Sequence, residues 1–183
     1  MRRVILICAA VAMVTGCTNT PYKRIATALN TLAQTKLLFE QFDAAVKNFV
    51  VVKRAECKTK HAVKTAEYDQ CILPAIRLAR AWTGEKNGVA TGKGALPILQ
   101  RAQKAAAIAL FGAYDYVKSN EAACAKADAP KECHGDWEVL LKPGACAAWQ
   151  VVDIGVKLGA FSATENKYYK LVGGAINAFA CGG

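Results

Sequence analysis

Histidine and serine are scarce, with two of each in 183 residues. That leaves His61 and His134 as candidate general bases, and Ser119 and Ser162 as the only serine nucleophiles. A Ser–His–Asp triad needs a free serine. Ser162 reads instead as a helix cap, and Ser119 lies among polar neighbours on a helix. No C-x-x-C pair occurs, so a thioredoxin-type redox centre is excluded. The haem-attachment pattern is missing too, because Pro130 stands where its first cysteine would precede Cys133-His134. Paired Cys/His spacings for zinc are absent, as are G-x-G-x-x-G, P-loop and H-E-x-x-H motifs. Beyond the N-terminal segment, long uncharged runs are also lacking. Ten residues separate Lys104 from Asp115 and thirteen follow Lys170, too few to span a bilayer. These absences argue against an enzyme. They leave no cofactor, no metal ligands and no catalytic residue to expect.

Apolar residues, cysteine and positive charge are plentiful. Apolar side chains make up 54% of the chain, enough to bury a core and exclude general disorder. Eight cysteines point to an oxidising compartment. Lys plus Arg number 24 against 14 Asp plus Glu, a formal charge of +10. The length suits one domain.

The first 17 residues read MRRVILICAAVAMVTGC. Arg2 and Arg3 form a positive start, and Val4 to Val14 is an uncharged apolar run of 11 residues. Thr15, Gly16 and Cys17 follow. Val14-Thr15-Gly16-Cys17 resembles the lipobox of bacterial lipoprotein signal peptides. The resemblance implies that residues 1–16 are a signal peptide and that residues 17–183 form the mature envelope domain. It also implies that Cys17 carries a diacylglycerol, with a further acyl chain such as palmitate on its amino group. Two or three chains would anchor firmly, since each buried methylene contributes about 0.8 kcal/mol. Thr18 stands where lipoproteins kept in the inner membrane often have Asp, which by the same resemblance favours the outer membrane, facing the periplasm.

The mature region predicts an all-α fold, one disulfide-stapled bundle of about five helices. Ile25, Leu29, Leu32, Phe39, Phe42, Val46 and Phe49 share one helical face and predict a helix over 22–57, entered through Pro21. Three β-branched valines at 50–52 weaken its last turns. Tyr68, Ile72, Ile76, Ala79 and Trp82 predict a second helix over 63–82, kinked or split at Pro74. The glycine-rich stretch 84–94 reads as a loop. A third helix starts near Pro97, carries a largely alanine face that suits a central position, and ends at Ala127–Lys131. A short helix over 137–141 should stop at Pro143-Gly144, with a fifth running over 145–158 to Gly159. Ser162 and Glu165 fit a capping box ahead of a last helix bearing Tyr169, Val172, Ile176 and Phe179.

Cys8 leaves with the signal and Cys17 takes the lipid, so six cysteines remain for the body. An even number in a secreted domain implies bridges. Cys146 and Cys181 lie 15 residues before and 20 after an antiparallel turn near residue 161. Cys124 and Cys133 flank the break at 127–131, and Cys57 and Cys71 flank the turn between the first two helices. Each closed loop would contribute roughly 2–4 kcal/mol.

Charge is uneven. Residues 18–100 carry net +7 and residues 101–183 net +1. Within 47–64, Lys47, Lys53, Arg54, Lys58, Lys60 and Lys64 face Glu56 alone, net +5. Lys53, Arg54, Lys58, Lys60 and Lys64 are therefore the expected contact for an anionic partner: cell-wall carboxylates, anionic lipid or an acidic protein. Nucleic acid does not suit the envelope. The leading expectation is an envelope lipoprotein that binds or scaffolds such a component. An immunity, exclusion or superinfection-exclusion factor is the alternative. An envelope hydrolase ranks lower. It would use His134 and Asp136 with neighbouring Glu138, or Glu132 and Asp136 as a carboxylate pair.

Overall fold

A computed structural model describes residues 20–86, 89–176 and Cys181. The lipobox-like residues 14–17, with Cys17, and Cys8 lie outside the described residues.

Pro21 opens the longest element at a position where its missing N–H costs nothing. Helix α1 spans Pro21–Lys60, 40 residues or about 60 Å. The valines at 50–52 do not end it. Val51 and Val52 stand in solvent, and β-branching lowers helix propensity only slightly, too little to end a helix supported on both sides. Helix α2, Ala66–Thr83, begins three residues later than the apolar period implies. The Thr65 hydroxyl sets the start by accepting the Tyr68 N–H at 3.2 Å. Pro74 sits inside α2 without splitting it. The carbonyl it releases belongs to Gln70, which is exposed and can be satisfied by water.

The loop at 84–94 contains a minimal antiparallel ladder, β1 (Glu85–Lys86) with β2 (Val89–Ala90). Its ends close backbone to backbone. A Cβ on Gly84, whose φ is +74°, would fall 2.3 Å from the Gly94 nitrogen. This junction delivers the chain directly into α3, Ala95–Ser119. Helix α3 ends earlier than expected, at Asn120, and a separate turn of helix, α4 (Glu121–Cys124), follows. A 3₁₀ turn at Lys131–Cys133 leads into α5.

Helix α5 corrects the sequence reading. It is continuous over Trp137–Lys157, through both Pro143 and Gly144. Pro143 lies on the solvent face, and the carbonyl it frees belongs to exposed Val139. Gly144 is a packing residue rather than a breaker. A Cβ there would meet the Ala102 Cβ at 2.6 Å and the Leu99 Cα at 2.9 Å, so α5 rests directly on the small face of α3. Helix α5 is long and apolar enough to cross a membrane by length and composition. It serves here as a core helix, with Leu141, Ala145, Ala148 and Val152 buried against the bundle. Ser162 and Glu165 cap α6, Ala163–Ile176. The Ser162 N–H donates to Glu165 Oε2 at 2.8 Å, and the Glu165 N–H to Ser162 Oγ at 3.3 Å. Tyr169 is buried; the side chains of Val172, Ile176 and Phe179 lie outside the described set.

The core centres on fully buried Phe42. Its ring stands edge-on to Trp82 at 4.5 Å and lies 5.3 Å from Phe161 and 5.9 Å from Tyr169. Gly155 makes room for Phe161, since a Cβ there would come within 2.6 Å of the ring. Three disulfides staple the fold: Cys57–Cys71, Cys124–Cys133 and Cys146–Cys181, with Cα separations of 5.9, 5.5 and 5.1 Å. These are the pairs that the sequence reading sets opposite each other.

The shared core stops partway along α1. Beyond Phe49, no α1 side chain belongs to it. The buried residues further out, Cys57 on α1 with Ile72 and Ala75 on α2, lie apart from the main cluster. The last quarter of α1, beyond Phe49, and the start of α2 thus continue past the body as a two-helix arm, tied by Cys57–Cys71.

Candidate functional site

The arm carries the basic cluster. Lys53 lies three residues before Glu56 and Lys60 four residues after it, so both ammonium groups close on the same carboxylate. Lys53 Nζ lies 2.9 Å from Glu56 Oε2, and Lys60 Nζ lies 2.7 Å from Oε1. The hydrogen bonds from Lys60 and then Lys53 hold the Glu56 carboxyl at about 2, well below its ordinary 4.5. Two of the five cations are therefore partly neutralised within the arm.

Arg54, Lys58 and Lys64 are exposed, and none has a carboxylate within 4.0 Å among the described residues. Lys64 has φ +74°, in the left-handed region. A non-glycine residue there costs roughly 1–2 kcal/mol. The cost is met locally. The Thr65 hydroxyl donates to the Ala62 carbonyl at 2.9 Å while capping α2, and the disulfide behind the turn fixes both helix ends. Glu67, in the first turn of α2, has its carboxyl held below the ordinary value by a backbone N–H at its own position and by the Thr65 hydroxyl.

Where the arm joins the body, Asp43 holds two partners. The buried Trp82 indole N–H donates to its Oδ1 at 3.0 Å, and Lys47 Nζ lies 2.6 Å from its Oδ2. That hydrogen bond, then the charge of Asp43, raises the Lys47 pKa above its usual value. Lys47, counted with the basic run in the sequence, is thus occupied at the junction. The sequence reading missed both carboxylate arrangements. The spacings Asp43 to Lys47, Lys53 to Glu56 and Glu56 to Lys60 are the helical i,i+3 and i,i+4 separations that would have revealed them.

The other candidates do not assemble into a centre. His134 and Asp136 are exposed around Gly135, with Asp136 at φ +42°. Among the described residues no hydrogen bond or ion pair joins His134 to Asp136, Glu138 or Glu132. No group of three or more His, Cys, Asp and Glu side chains is placed to hold a metal ion among the described residues. Ser162 is engaged in its cap, and the Ser119 hydroxyl donates to the Asp115 carbonyl at 3.3 Å. A cleft of about 210 Å³ between α5 and α6 is lined by Trp149, Asp153, Val156 and Lys170. It is smaller than the roughly 300–1,000 Å³ of ordinary ligand sites. Comparison of the chain with protein-family models, with curated proteins and with solved structures finds no match.

Proposed function

We propose that this protein is an outer-membrane lipoprotein, anchored through Cys17 and facing the periplasm, whose basic arm binds an anionic envelope component or an acidic protein. The observation that carries the reading is the placement of Arg54, Lys58 and Lys64. They stand exposed and without carboxylate partners among the described residues, on an element held rigid by its own disulfide. Cations carried on an ordered backbone lose little backbone freedom when an anion binds. The arm also lies far from the anchor. From Tyr22 to Lys53 helix α1 rises about 45–50 Å, several times the roughly 8 Å over which physiological salt screens charge. With α1 raised from the bilayer, the cluster is out of range of the anchoring membrane and is available to the cell wall or to a partner.

The test substitutes Lys53, Arg54, Lys58 and Lys60 together with glutamine in the lipidated protein. Co-sedimentation with isolated peptidoglycan sacculi, and with phosphatidylglycerol vesicles for the unlipidated form, measures binding. The variant should stay in the membrane fraction and lose binding to the sacculi; loss of vesicle binding instead would mean that α1 lies flat on the membrane and that the cluster is a second anchor. Wild-type binding should weaken as salt is added. Unchanged binding by the quadruple variant, and by one with Lys64→Gln added, would reject the arm as the contact. In parallel, mass spectrometry of the mature wild-type N-terminus should show acyl groups on Cys17, and Cys17→Ser should remove them.

A further inference from the structure

The opposite end of the molecule carries an exposed apolar stripe. Ile108, Phe111 and Tyr114 follow one another at helical spacing on the outer side of α3, and are 64%, 59% and 44% exposed. Tyr114 meets Tyr22 edge-on, with ring centroids 5.7 Å apart. The stripe therefore ends beside the first turn of α1. Lys104, one turn before Ile108, and Lys118, one turn after Tyr114, flank it, and Lys23 follows Tyr22; all three are exposed. Asp115 and Glu121 stand in the same region.

Chain length fixes what lies next to this stripe. Cys17 precedes Pro21 by four residues, which span at most about 14 Å when fully extended. A lipid on Cys17 holds the bilayer surface within about 18 Å of Tyr22, the reach of five extended residues. Tyrosine suits such a boundary, with an apolar ring and a polar tip. Interfacial apolar faces settle about 5–10 Å into the headgroup and acyl boundary. We infer that Ile108, Phe111, Tyr114 and Tyr22 form a second contact with the phospholipid surface, seating the body against the bilayer while the arm points away. The inference rests on lipidation of Cys17.

The experiment uses the full lipidated protein in vesicles of phosphatidylethanolamine and phosphatidylglycerol, doped with a phospholipid carrying a photoactivatable diazirine in its acyl chain. Trypsin cuts after Lys104 and Lys118, so the stripe is recovered in one peptide, 105–118. The valines of the arm fall in peptide 48–53. Val51 and Val52 are 64% and 54% exposed, so a difference in labelling reports position rather than accessibility. Labelling of 105–118 should exceed that of 48–53 on the order of tenfold. With acylated Cys17 confirmed by intact mass, equal labelling of the two peptides overturns the inference and means that α1 lies flat on the membrane. Absent labelling of 105–118, with a dimer in detergent that Phe111→Asp dissociates, overturns it in favour of a second copy of this chain. An unmodified Cys17 refutes the anchor itself, a result separable from the other two.

Discussion

Helix α1 belongs to two structures held together by different physics. Its first three quarters, through Phe49, lie in a body whose order comes from burial. Phe39, Phe42, Trp82, Phe161 and Tyr169 touch in a continuous aromatic cluster, and each large ring removes enough apolar area to contribute a few kcal/mol. Its last quarter lies in an arm whose buried residues are few and mostly small, among them Cys57, Ile72 and Ala75. There a covalent bond takes over part of the work of a core, by restricting the unfolded arm more than the folded one. The difference shows how a chain can display a charged surface on ordered backbone. A large core would cover that surface, whereas a disulfide orders the arm from within and leaves its faces free.

The largest expected effect tests the body. Trp82→Ala removes a fully buried ring from against Phe39 and Phe42, and leaves Asp43 without the indole donor. Truncations of this kind cost about 3–5 kcal/mol. Denaturant unfolding should show that loss as a lowered midpoint of the main transition. Trp82→Phe retains most of the ring and loses the hydrogen bond to Asp43, so it should cost less than half as much. Equal losses in the two variants would place the stabilisation in the Asp43 contact rather than in packing.

The next effect separates arm from body. Replacing Cys57 and Cys71 together with alanine opens a loop closed over 14 residues, for which chain entropy gives about 3 kcal/mol. Hydrogen exchange should quicken over residues 50–75, while α3 and α5 keep their protection. Loss of protection through α5 to the same degree would show that the arm and body fold as one unit.

This division was only partly legible in the sequence. The apolar face of α1 and the cap at Ser162 could be read because the side chains that make them are local in the chain. The cysteine pairs could be placed because each brackets a turn. Pro143 and Gly144 misled for a physical reason. Proline breaks a helix only if the released carbonyl has nowhere to go, and glycine stops one only if nothing packs where its side chain would be. Exposed Val139 removes the first condition, and Ala102 and Leu99 remove the second. Both facts depend on which way α5 faces, and that is set by α3, some forty residues away in sequence. At the candidate site, the cations were visible as a run of lysine and arginine. The division between paired Lys53 and Lys60 and Arg54, Lys58 and Lys64, which have no carboxylate partner among the described residues, was not drawn, although the spacing to Glu56 contained it.

The smallest effect on stability, and the one that sharpens the reading of the arm most, belongs to Glu56. Its carboxyl is held at about 2 by hydrogen bonds from Lys60 and Lys53, against 4.5 ordinarily. A carboxylate whose folded value is depressed contributes stability that is fully present above its unfolded value and is lost as pH falls through the folded one. Acidification from about 4.5 to about 2 should therefore loosen the arm without another change in sequence. A carboxyl-carbon NMR titration of Glu56 should show its midpoint near the lower figure, and a midpoint near 4.5 would mean that the two ion pairs do not persist in water. Because the group is exposed, Glu56→Gln should shift the unfolding midpoint little at neutral pH. Its effect on binding has the opposite sign to that of the lysine substitutions. It removes the one carboxylate within residues 47–64 and frees Lys53 and Lys60 to face an incoming anion. Affinity for whichever anionic surface the wild type binds should rise a few-fold at low salt and converge with the wild type as salt screens the added charge. A fall in affinity would mean that Glu56 positions the two lysines for the partner rather than competing with it.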